Sequence, residues 1–102
     1  MRQFDVYENP SPDARRFAPY IVILSSHLIP GFDDAVVAPL VNDSMATAAD
    51  FEIPVIVDEQ PILLVLTELA GVRGQSLKRK VGSLHPYEDD IRRPIDRLFT
   101  NF

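Results

Sequence analysis

A chain of 102 residues fits one domain, 1–102, with room for a real but modest core. Its hydrophobic fraction of 46% and charged fraction of 25% are those of a soluble globular protein, so disorder is not expected despite nine prolines. Ten Lys and Arg against fifteen Asp and Glu give a net charge of −5, which argues against a protein that binds mainly by neutralising phosphates and against polybasic membrane attachment.

The segment Gln3 to Glu8 alternates, with Phe4 and Val6 on one side and Asp5 and Tyr7 on the other, which predicts a strand with one wet face. Asn9-Pro10-Ser11-Pro12-Asp13 is a loop, because proline cannot donate to a sheet ladder. Tyr20-Ile21-Val22-Ile23-Leu24 is apolar on both faces and reads as a central or interface strand. The two strands are expected to pair as a hairpin with a long exposed tip from Glu8 to Phe17. Pro30-Gly31 signals a turn, with Asp33-Asp34 solvated at its tip.

Ala35 to Val41 is a third strand, in which Pro39 suggests an edge or a bulge. Asn42 to Asp50 is small and polar, a loop with room for a helical turn. Ile53 to Val57 and Ile62 to Leu66 are two more strands around a hairpin turn at Asp58-Glu59-Gln60-Pro61. Arg73 to Lys80 is polar and carries no clear period.

The C-terminus changes period. Tyr87, Ile91, Ile95, Leu98 and Phe102 fall on one face of an α-helix, with Pro86 at its start and Glu88-Asp89-Asp90 against the positive end of its dipole. Pro94 conflicts with that helix and predicts a kink near Asp90. The fold class expected is a small, mostly antiparallel α+β domain, strands first and one C-terminal helix last.

Cysteine is absent, which removes disulfides, thiolate nucleophiles and cysteine zinc sites, and two histidines leave little for a metal centre. No metal or cofactor is expected. The N-terminus lacks the apolar core of a signal peptide, and Pro61 to Leu69 is far shorter than the roughly 20 residues of a membrane span, so the expectation is a soluble cytoplasmic protein.

Candidate chemistry is sparse. Ser25-Ser26-His27 could offer a serine–histidine pair, but neighbouring side chains point apart and no acid is placed to orient the imidazole. His85 reads as a helix cap, and its metal-ligand reading is weaker, because Glu88 and Asp89 lack the i, i+4 partner geometry of a metalloprotease helix. Glu88-Asp89-Asp90 reads as dipole capping before acid–base chemistry. Lys78-Arg79-Lys80, near Arg73, reads as a solvated loop before a nucleic-acid contact, since no aromatics are interleaved. Phe99 is expected in the core. For Phe102 an interface and plain core stay open equally, and the residues alone suggest a dimeric, non-enzymatic binding domain.

The order of segments resembles the CcdB toxin family of bacterial toxin–antitoxin pairs. The resemblance rests on Phe4-Asp5-Val6-Tyr7, Leu28-Ile29, Val37-Ala38-Pro39-Leu40, Pro54-Val55-Ile56 and Leu66-Thr67-Glu68-Leu69-Ala70-Gly71-Val72. It continues from Leu84 through Glu88-Asp89-Asp90-Ile91-Arg92-Arg93-Pro94-Ile95-Asp96-Arg97-Leu98-Phe99, so it spans nearly the whole chain.

The family implies an SH3-like, mostly antiparallel β-barrel with a C-terminal helix, a homodimer, and no catalysis of its own. It implies poisoning of DNA gyrase by wedging into the gyrase A dimer and trapping cleaved DNA. It also implies neutralisation by a CcdA-like antitoxin, whose disordered segment wraps the toxin and uses it as a transcriptional co-repressor. By this resemblance Ile29 and Glu88 are gyrase-contact positions. The family's terminal Trp-Gly-Ile, which stacks on a gyrase arginine, is replaced here by Thr100-Asn101-Phe102. Thr100 supplies no aromatic face for that cation–π contact. A CcdB-fold dimer that binds antitoxin but has lost gyrase poisoning is therefore the alternative. A ribonuclease of the related MazF and Kid type would need a basic RNA groove and an acid–base pair, and neither is evident.

Overall fold

The computed structural model describes residues 2–25, 33–43 and 49–100. Among the described residues seven strands precede one α-helix: β1 (Asp5–Glu8), β2 (Tyr20–Ile23), β3 (Asp34–Val41), β4 (Glu52–Val57), β5 (Gln60–Val65), β6 (Ala70–Arg73), β7 (Lys80–Ser83) and α1 (Glu88–Thr100). The strands form one curled sheet in the order β4-β5-β3-β2-β1-β7, with β6 also paired to β3. Every pairing among the described residues is antiparallel. Strands followed by one helix make the expected α+β fold.

The pleat sorts side chains between two apolar layers. Val6, Val22, Ala38, Leu40, Leu64 and Leu66 point to one face, where Ile91 of α1 closes the main core. Ile21, Ile23, Ala35 and Val37 point to the other, against Tyr7, Val72 and Leu77. The face of β1 opposite Val6 is therefore not wet as expected. Tyr7 is half-buried in the second layer and Asp5 is buried, with its carboxylate bound by the Arg2 N–H at 2.9 Å and by Lys80 Nζ at 3.3 Å.

Strand β1 starts at Asp5, two residues later than the alternation suggests. Phe4 takes a left-handed backbone with φ 72, and its N–H and carbonyl are held by Ile23 at 2.6 Å and by Leu84 at 2.7 Å. The β1–β2 hairpin forms as expected, but its tip is shorter and not wholly exposed, since Glu8 belongs to β1 and Asn9 is buried. Its tip is pinned by Asn9, whose amide Nδ2 donates to the Ala18 carbonyl at 2.9 Å, and it ends in a 3₁₀ turn at Ala14–Arg16.

Pro39 is not at an edge; it lies inside β3, opposite Ile21 of β2. The Val36 carbonyl accepts from Leu24 on the β2 side, so residues 36, 38 and 40 turn their backbone polar groups toward β2. By alternation Pro39 faces the other way. There β6 stops opposite Val37 and β5 begins opposite Leu40, so the missing N–H falls in the gap between two partners. Asp34 likewise belongs to the strand, opposite Arg73, rather than to a turn tip, although it remains exposed. The predicted turn at Pro30-Gly31 lies outside the described residues.

The β4–β5 hairpin closes on two residues, Asp58 and Glu59, both at positive φ, and Gln60 and Pro61 already belong to β5. Strand β6 ends at Arg73 and β7 begins at Lys80, so the segment that carried no sequence period is the link between them, with a 3₁₀ turn at Gly74–Ser76. The α-helix begins at Glu88 after a 3₁₀ turn at His85–Tyr87 and is continuous to Thr100 with Pro94 inside it. Pro94 is buried, so its ring serves the core where its lost N–H does not serve the helix.

Candidate functional site

No group of three or more His, Asp or Glu among the described residues is arranged to hold a metal. No described helix is long and apolar enough to cross a membrane. Of the two serines in the serine–histidine idea, Ser25 accepts the Val36 N–H through Oγ at 3.1 Å and so fastens the end of β2 to β3, and Ser26 lies outside the described residues. His27 lies outside the described residues.

His85 does not cap the helix by its side chain, since Leu84 holds the N-cap position of that 3₁₀ turn. Instead its ring stacks on Phe4 with centroids 6.3 Å apart, and Nδ1 lies 3.8 Å from the Glu88 carboxylate. The Arg92 guanidinium lies over the Phe4 ring at 5.6 Å and pairs with Glu88 at 3.3 Å. Glu88 is thus half-covered at the start of α1, paired with Arg92 and close to the His85 ring. It borders a polar hollow of about 410 Å³ whose other walls include Gln3, Asp5 and Lys80.

The far end of α1 is different. From Glu88 to Thr100 the helix rises about 18 Å, so the two described gyrase-contact candidates stand a helix apart. Thr100 is exposed and its hydroxyl donates to the Asp96 carbonyl one turn back, within its own helix. Ile29, Asn101 and Phe102 lie outside the described residues.

Phe99 is not core, contrary to expectation: it is 61% exposed. With Ile95 it borders a hollow of about 280 Å³ whose other walls are Leu24, Ser25, Val36 and Leu69. Val36 is 44% exposed, so β2, β3, the segment before β6 and α1 together present one apolar face. Sequence reading missed this face. Its one local signal is the i, i+4 spacing of Ile95 and Phe99, which places Phe99 at the edge of the helix's apolar stripe.

The basic run is also not simply solvated. Lys80 reaches Asp5, and Arg79 reaches Glu8 at 3.5 Å, where Arg15 pairs from the other side at 3.3 Å. Lys78 stays exposed beside them, lining a small hollow with Glu8, Pro10 and Arg15.

Two features therefore bracket α1: a carboxylate paired with Arg92 at its start, and an apolar face beside its end. Both suit binding to another macromolecule. No curated protein matches the chain. The family model described as CcdB protein matches residues 3–101. The agreement runs over nearly the whole length and over a curled antiparallel sheet closed by a C-terminal helix, and the chain belongs to the CcdB family, the toxins of toxin–antitoxin systems.

Proposed function

We propose that this chain is a CcdB-type toxin that acts by binding, as a homodimer, and has no catalysis of its own. In this reading it engages the A subunit of DNA gyrase, traps the cleaved DNA complex, and is neutralised by a CcdA-like antitoxin that uses it as a co-repressor.

The observation that carries the proposal is the apolar face around Phe99. A side chain of this size left 61% exposed beside Val36, Leu69 and Ile95 is costly on a monomer and favourable once a second surface covers it. Pairing two copies across this face buries it and sets the two C-terminal ends side by side. The family's terminal gyrase-binding motif lies at those ends. Glu88, Ile29 and residues 100–102 are the positions assigned to gyrase contact.

One observation favours the alternative. Thr100 stands where the family has its stacking tryptophan, and its hydroxyl is already engaged by its own helix at Asp96. Interface energy concentrates in a few aromatic and arginine anchors, so this replacement removes a contact that can exceed about 2 kcal/mol when desolvated. In that reading the dimer and the antitoxin contact persist and gyrase is no longer the target.

Titrating the purified protein against immobilised gyrase A subunit separates the two. Saturable binding that weakens in Glu88→Ala supports gyrase as the target. No binding by a folded dimer supports the alternative.

A further inference from the structure

The chain enters its first strand through a strained turn. Arg2 and Asp5 are joined twice: the Asp5 N–H donates to the Arg2 carbonyl at 3.0 Å, and the Asp5 carboxylate accepts the Arg2 N–H at 2.9 Å. Gln3 and Phe4 are the two residues between. Phe4 holds φ 72, a region that turns normally give to glycine, and a bulky side chain there is an outlier. Such strain persists only where the surrounding structure over-determines it, and it gathers at ligand clamps and switch regions.

The turn aims two side chains at Arg92. In a regular strand Gln3 and Phe4 would point to opposite faces. Here both reach the same guanidinium. Arg92 Nη2 donates to Gln3 Oε1 at 3.4 Å, and the guanidinium carbon lies 5.6 Å from the centre of the Phe4 ring. The same Nη2 donates to Glu88 Oε1 at 3.3 Å. Gln3 is itself anchored, because its Nε2 donates to the Leu24 carbonyl at 2.9 Å, just past the end of β2. Phe4 is anchored by burial, at 3% exposed, and by its backbone bonds to Ile23 and Leu84.

An exposed glutamate–arginine pair one helical turn apart is worth little alone and leaves both side chains free to change rotamer. Burial does not restrain this pair, since the Arg92 side chain is 51% exposed and that of Glu88 36%. We infer that Gln3 and Phe4 are positioning residues, which hold the Arg92 guanidinium, and through it the Glu88 carboxylate, in one arrangement before a partner arrives. A partner that meets Glu88 then has less side-chain freedom to freeze, and binds more tightly without touching Gln3 or Phe4 itself. The inference rests on the reading of Glu88 as a gyrase contact and deepens it, by placing determinants of that contact in the N-terminal turn.

The test uses the full chain and two variants. Gln3→Met keeps the length of the side chain and removes both of its hydrogen bonds. Phe4→Leu keeps an apolar side chain in the core and removes the ring. Heteronuclear NMR relaxation of the Arg92 Nε–Hε group in the free protein reads the positioning directly, and binding to immobilised gyrase A subunit reads its consequence. The unaltered chain is expected to show an ordered Arg92 group and each variant a mobile one. Gyrase binding is expected to weaken about fivefold in each, the scale of one long side chain left to be immobilised on binding. In an Arg92→Ala background Gln3→Met is expected to add no further loss, since Gln3 acts through Arg92.

Circular dichroism of each variant confirms folding, and Gln3→Met, at a half-buried position, carries the test where Phe4→Leu does not fold. An Arg92 group as mobile in the unaltered chain as in Gln3→Met overturns the inference. So does gyrase binding that falls in Glu88→Ala but not in Gln3→Met. A further loss from Gln3→Met in the Arg92→Ala background also overturns it, because Gln3 would then meet gyrase itself. If the chain ignores gyrase while Gln3→Met frees Arg92, the gyrase reading fails and the positioning stands.

Discussion

The ammonium of Lys80 lies 3.3 Å from the carboxylate of Asp5 across the seam between β1 and β7, the carboxylate being only 7% exposed and the lysine 52%. The same carboxylate accepts the Arg2 N–H and so closes the turn that sets Phe4 in its left-handed backbone. One buried charge therefore ties the N-terminus to a strand 75 residues further along the chain. Lys80→Met leaves that charge with a single backbone donor. The expected cost is about 1–2 kcal/mol, below the full penalty for a buried ion because the lysine is half-exposed. Urea denaturation checks it, and Asp5→Asn combined with Lys80→Met is expected to cost less than the sum of the two single changes.

Asp58 and Glu59 both occupy left-handed backbone in the two-residue β4–β5 turn. That conformation costs roughly 1–2 kcal/mol for a residue with a Cβ, and Asn-Gly is the pair that fits it best. The double change Asp58→Asn with Glu59→Gly is expected to stabilise the fold by about 1 kcal/mol. For a protein of this size that raises the melting temperature by roughly 4–8 °C. No rise would show that the turn is held by its strands regardless of its own residues.

Pro94 sits past the first turn of α1, where it gives the Asp90 carbonyl no N–H partner. An interior proline costs about 3 kcal/mol, and its burial returns only part of that. Pro94→Ala is expected to raise stability by about 1–2 kcal/mol, read by thermal unfolding. A loss of stability would mean that the ring's packing beside Ile91 outweighs the helix term.

Phe99→Ala tests the proposed dimer face. The residue is mostly exposed in the single chain, so the change is expected to leave monomer stability within about 0.5 kcal/mol. The dimer dissociation constant is expected to rise at least tenfold, measured by sedimentation equilibrium. An unfolding penalty with unchanged association would place Phe99 in the core of the single chain after all.

Strands β1 to β5 and the helix were legible because each carries its own period: Val6 with Phe4, the run from Tyr20 to Ile23, and Ile53-Val55-Val57 against Pro54 and Ile56. Strands β6 and β7 were not. Ala70-Gly71-Val72-Arg73 and Lys80-Val81-Gly82-Ser83 hold a single branched apolar residue each, and they are strands because β3 and β1 offer them open ladder positions. Local sequence carries no trace of that offer.

Asp5 reads as a solvent-facing acid until Lys80 is placed beside it. Pro39 reads as an edge residue until the gap between β6 and β5 is seen. The place of Glu88 at the helix start was legible from the dipole pattern, while its assignment to a site, like the Thr100 replacement, came from comparison with the family. The apolar face was not legible, because Leu24, Val36, Leu69 and Phe99 come from four segments that only the folded chain brings together.

The central claim, a binding toxin that poisons gyrase, is tested most directly by gyrase-mediated DNA cleavage with the purified protein titrated to high micromolar concentration beside Glu88→Ala. The account predicts trapped cleavage complexes with the unaltered chain and at least tenfold less potency in the variant. A folded, dimeric protein that traps no cleaved DNA at any concentration would contradict it, and would leave the CcdB fold here serving its antitoxin contact without gyrase.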